Sequence, residues 1–158
     1  MSTFGFAVIS ILYATIGLMA AVGAILIVPK YLAPKGEQVF YGAFLVLIAA
    51  FYLAFAAYFG RAGAWPVEIS AVVIFAAFGL FGMRLPIALI VGYPLHGLWD
   101  FLHELQAHGA WIGFQPEQLT VIPLAYGIFC AAFDFCMAGY FYTQRDAWEA
   151  VWREPAPA

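Results

Sequence analysis

The chain has 158 residues, of which 66% are hydrophobic and 9% charged, with a mean hydropathy of +0.93. Soluble domains carry about 25% charged residues, so nine acids, six bases and three histidines are too few to clothe a soluble surface. The net charge of −3 gives no electrostatic support to a nucleic-acid role.

In hydrocarbon every backbone amide must be paired internally, which leaves helices or a closed barrel. The apolar runs here are continuous, not alternating, and rich in Ala, Leu and Phe. They predict an all-α integral membrane protein with a single membrane domain. Spans are drawn at about 20 residues each, for a hydrocarbon core near 30 Å.

The first predicted span runs from about Phe4 to Val28 and is ended by Pro29, Lys30 and Pro34. No basic residue precedes it, and it is too long for the apolar stretch of a secretory signal. The second covers about Val39 to Phe59, with Gly42, Ala49, Ala50, Ala54 and Ala57 suited to close helix packing. The third covers about Trp65 to Met83. A tight turn at Arg84 and Pro86 leads into the fourth, about Leu85 to Glu104, in which Pro94 predicts a kink before His96. The connection Leu105 to Glu117 holds His108, Trp111 and Pro116 and suits the lipid–water boundary. The fifth span covers about Leu119 to Tyr142. Residues 143–158 form a tail in which Trp148, Val151 and Trp152 sit among charges and suit the membrane surface. Disorder is expected for residues 154–158. Cys130 and Cys136 lie about 240° apart on one helix, so they do not bridge there.

This five-transmembrane-helix bundle sorts the bases. Lys30, Lys35, Arg84, Arg145 and Arg153 share one side, and Arg61 takes the other. The positive-inside rule then puts the N-terminus outside and the C-terminus in the cytoplasm, in the inner (plasma) membrane of a bacterial-type cell.

The chemistry concentrates in Tyr93-Pro94-Leu95-His96-Gly97-Leu98-Trp99-Asp100-Phe101-Leu102-His103-Glu104. On a helix, with His96 at the origin, Asp100 falls near 40°, His103 near −20°, Tyr93 near 60° and Glu104 near 80°, a single arc of about 100°. Leu95, Leu98 and Leu102 take the other side. Taking Glu104 as the outer end, Asp100 is about 6 Å in and His96 about 12 Å in. Glu68, on the third span, is about 5 Å in and level with Asp100 and His103. Asp134, counted from Leu119, comes out about 22 Å in, below His96 and separated from it by a water or a Tyr. A plain reading of Asp134 is a protonated acid bonded to Ser10, Thr15 or Tyr52.

Imidazole and carboxylate at helical spacing are ligands for zinc or iron, and bundles collect such ligands from facing helices. One ion could take Asp100, His103 and Glu68, or two ions could divide these with His96. Without metal, His96, Asp100 and Glu104 are candidates for acid/base catalysis on a small apolar or lipid-like molecule. The His96-x-x-x-Asp100 stretch beside Trp99 resembles, over a few residues of one helix, the emopamil-binding isomerases of sterol synthesis. No residue roles are carried over from them. A two-histidine haem needs its ligands on different helices, which His96 and His103 do not offer; a single His ligating a chlorophyll-type pigment stays open. The competing class is a non-catalytic membrane subunit whose polar stripe docks a partner helix, in a membrane complex or a homo-oligomer. A pocket requires Glu68 within hydrogen-bond reach of the stripe; a docking stripe requires those side chains to face outward. Ionisable groups inside a span are costly and usually functional, which singles out His96 and Asp134.

Overall fold

Proline opens three of the helices, at positions where its missing amide has no partner to lose. The computed structural model describes residues 3–153. Over them the chain is all-helical: α1 (Thr3–Tyr31), α2 (Pro34–Tyr58), a 3-10 turn (Ala62–Ala64), α3 (Trp65–Gly82), α4 (Pro86–Ala107) and α5 (Tyr126–Arg153). The segment expected to be disordered, residues 154–158, falls outside the described residues. Three stretches, Phe4–Tyr31, Pro34–Tyr58 and Ala62–Gly82, are long and apolar enough to cross a membrane.

Several boundaries differ from those read in the sequence. α1 continues through Pro29 to Tyr31. Proline there removes one amide, while the next turn stays bonded, with Leu32 N–H donating to the Val28 carbonyl at 3.0 Å. α2 starts at Pro34 rather than near Val39. α4 is helical throughout, Pro94 included. α5 starts later than Leu119, because Ala125 adopts a left-handed φ of 56° and ends the irregular connection immediately before Tyr126.

Packing is tight where side chains are absent. A Cβ on Gly42 of α2 would stand 2.6 Å from the Gly79 carbonyl of α3, so these helices touch through their backbones. α4 and α5 form the most extensive pair, and α1 leans on α5 while barely touching its sequence neighbour α2. The main core joins Tyr41, Leu45, Leu89, Tyr93, Met137, Phe141 and Trp148.

The end of α5 is a correction to the surface-lying tail. Trp148 is fully buried, and its indole N–H donates to Glu37 Oε2 at 3.4 Å. Tyr140 O–H donates to the other Glu37 oxygen at 2.5 Å. Trp152 donates to Gln38 Oε1 at 2.9 Å, and Gln38 Nε2 donates to the Gly82 carbonyl at 2.8 Å. Lys35 and Arg84 stack over the Trp152 ring at 4.2 and 4.9 Å. The indoles that read as membrane-surface anchors instead fill a groove against the start of α2, where Glu37 and Gln38 supply acceptors.

Candidate metal centre

α4 turns its polar arc inward. His96, Asp100, His103 and Glu104 are all buried, as is Glu68 on α3. The exposed face of α4 is apolar, with Ile87, Val91, Leu95, Leu98 and Phe101. The inward groups fall into three separate arrangements.

The innermost arrangement joins α4 to α5. His96 Nδ1 lies 2.8 Å from Asp134 Oδ2 and 3.0 Å from Asp100 Oδ2. Tyr52 of α2 donates its hydroxyl hydrogen bond to Asp100 Oδ1. Phe75 presents its ring edge-on to His96 at 5.0 Å. Asp134 therefore meets His96 directly, and the predicted gap between them does not exist. The difference lies in the start of α5: measured from Tyr126, Asp134 is about 12 Å along its helix, the same depth as His96 measured from Glu104. Of the partners considered for Asp134, Tyr52 serves Asp100, and Thr15 bonds the Ile11 carbonyl of its own helix at 2.8 Å.

The second arrangement joins α4 to α3. His103 Nδ1 donates to the Trp99 carbonyl at 3.0 Å, and Nε2 lies 2.9 Å from Glu68 Oε1. The same Glu68 oxygen accepts the Thr120 backbone N–H at 2.8 Å. With Nδ1–H committed to a carbonyl, the His103–Glu68 contact needs one proton shared between them. Tyr52 packs against both imidazoles, 4.6 Å from His103 and 6.1 Å from His96.

Glu104 forms the third. Its oxygens accept N–H bonds from Ala125 and Gly127, both at 3.2 Å, at the first turn of α5. A carboxylate there satisfies free amides and meets the positive end of the helix dipole. His108 donates to the Glu104 carbonyl at 2.8 Å. Tyr93 lies apart from all three, its hydroxyl on the Tyr41 carbonyl at 2.9 Å.

His96, Asp100 and Asp134 could hold a metal ion: each offers a ligand atom, and these lie within 4.8 Å of one another, a placement shared by no other trio among the described residues. Zinc–nitrogen and zinc–oxygen bonds of about 2.1 Å at tetrahedral angles put ligand atoms about 3.4 Å apart. The contacts at 2.8 and 3.0 Å are about 0.4–0.6 Å short of that, so the three side chains have to spread to admit an ion. The structure thus gathers His96 and Asp100 with Asp134, and places His103 with Glu68. Tyr52 as the Asp100 donor and the Thr120 amide as a Glu68 donor had no signal in the local sequence; both come from other elements of the fold.

Comparison with protein-family models, curated proteins and solved structures finds no match for the chain.

Proposed function

We propose that the chain is a five-span protein of the cell inner membrane, N-terminus outside and C-terminus cytoplasmic. In this reading His96, Asp100 and Asp134 bind one divalent ion, zinc or iron, at a site acting on a small or lipid-soluble molecule. The grouping of charges supports the orientation: Lys35 and Arg84 meet at Trp152, while Arg61 lies beside His103 at the other end of the bundle. The apolar exposed face of α4 suits contact with lipid even though its inner face is polar.

One observation carries the metal. Two buried carboxylates from different helices converge on one imidazole nitrogen. In a medium of low dielectric, two negative charges need matching positive charge. A neutral imidazole, two carboxylates and a dication sum to zero. When bound, zinc or iron supplies Lewis acidity and lowers the proton affinity of a bound water. Tyr52 holds Asp100 in place, and the aromatic wall of Phe75 limits water on one side of His96.

A metal-free reading rests on a different feature. Tyr52 donates to Asp100, His96 Nδ1 is hydrogen-bonded to Asp134 and lies in ion-pair contact with Asp100, and His96 Nε2 is left without a partner. Such an imidazole can take or deliver a proton at a substrate atom.

Metal analysis of the purified full chain, beside Asp134→Asn, separates the two. About one zinc or iron per chain, lost in the variant, supports the metal centre. A chain that takes up neither ion at saturating concentration removes it and leaves the acid/base reading.

A further inference from the structure

A cavity of about 490 Å³ opens between α1, α2 and α5. Its walls are apolar, chiefly the rings of Phe44, Phe51, Phe55, Phe129 and Phe133. Asp134 is the one charged side chain in its lining. The cavity exists because α1 rests on α5 through small residues and scarcely meets α2. Gly17 sits so close to the Phe129 carbonyl that a Cβ would collide with it. The gap between α1 and α2 therefore faces whatever surrounds the bundle, and α1 contributes only Ala20 to the lining.

Asp134 spans two environments. Oδ2 faces His96 at 2.8 Å. Oδ1 is buried and has no hydrogen-bond partner. A buried carboxylate oxygen left unpaired is costly, and the cavity that Asp134 lines is otherwise apolar. A volume of this size lies within the about 300–1,000 Å³ usual for small-molecule pockets.

We infer that this cavity is the substrate subsite of the His96/Asp100/Asp134 centre, and that its occupant is an apolar alcohol entering sideways from the bilayer. The hydroxyl donates to Asp134 Oδ1, and the hydrocarbon body lies against the phenylalanine rings. The inference rests on the proposed function in taking Asp134 as ionised, hence an acceptor that selects a donor. With the centre neutralised by its ion, no net charge remains to favour an ammonium head over a hydroxyl. A carbonyl or ether head offers Oδ1 no proton and leaves it unpaired.

The test uses the purified full chain in lipid nanodiscs. The probes are a photoactivatable long-chain alcohol and its methyl ether, with labelled residues mapped by mass spectrometry. The alcohol is expected to label the peptides bearing Phe51, Phe55, Phe129 and Phe133 at least about tenfold more than the ether, the ratio that loss of one hydrogen bond to a charged group implies. Phe51→Trp narrows the cavity without touching Asp134 and is expected to suppress this labelling. Leu80→Trp, on an exposed face of α3, is expected to leave it intact. Equal labelling by alcohol and ether, or labelling unaffected by Phe51→Trp, overturns the inference, since the cavity then merely admits lipid tails. Metal content is measured on the same samples. Bound ion without alcohol preference defeats the subsite and spares the metal centre; alcohol preference without ion does the reverse.

Discussion

His96 of α4 and Asp134 of α5 meet at 2.8 Å across the most extensive helix pair in the fold. Gly97 makes the meeting possible. A Cβ on Gly97 would stand 3.0 Å from the Asp134 Cβ and 3.2 Å from the Ala131 Cα, so a larger residue beside the imidazole would require its neighbours on α5 to give by a few tenths of an ångström.

Gly97→Ala is accordingly expected to push α4 and α5 apart and to destabilise the protein by about 1–3 kcal/mol, the usual range for overpacking. Gly139→Ala is the control, because a Cβ there meets nothing within 4 Å. Thermal unfolding in detergent should show a lowered midpoint for Gly97→Ala and an unchanged or slightly raised one for Gly139→Ala. Equal midpoints would contradict the close crossing.

The histidines should separate under metal analysis. His96→Ala removes the shared nitrogen of the trio and should abolish binding of zinc or iron. His103→Ala removes only the partner of Glu68 and should leave ion content near that of the wild type. Loss in His103→Ala with retention in His96→Ala would move the centre to the Glu68 side.

Glu104 has a measurable structural task. Glu104→Ala strips both acceptors from the Ala125 and Gly127 amides. A cost of about 1–3 kcal/mol is expected for amides left unpaired, with faster hydrogen exchange confined to the first turn of α5. Unchanged exchange at those amides would show that the carboxylate does not hold them.

Topology can be read by thiol labelling in intact cells. Trp111→Cys, at an exposed position of the connection after α4, should react with a membrane-impermeant maleimide. Arg153→Cys, at the opposite end, should react only after the cells are opened. The reverse pattern would invert the proposed orientation.

The helical class was legible from composition and the single polar arc of α4 from spacing, whereas the inward direction of that arc comes from the packing of the fold. His96, Asp100, His103 and Glu104 share a face because 3.6 residues per turn requires it. The proximity of Glu68 to His103 followed from the short turn joining α3 to α4. Asp134 was misplaced because the start of α5 depends on the left-handed backbone of Ala125, and alanine gives no sign of that conformation. The role of Glu104 was hidden for the same reason, since the amides it serves are positioned by that turn. The placement of Trp148 and Trp152 depends on Glu37 and Gln38, more than a hundred positions away. Local pattern carries no information at that range.

α5 runs without interruption from Tyr126 to Arg153. Asp134 and Trp148 are thus fixed on one rod, about 21 Å apart. The indoles are pinned to α2 at one end and Glu104 holds the first turn at the other, so the height of the carboxylate opposite His96 is fixed from both ends of α5. A slip of α5 by a single residue would swing Asp134 about 100° off its imidazole, so the register of the whole helix is what keeps the trio assembled.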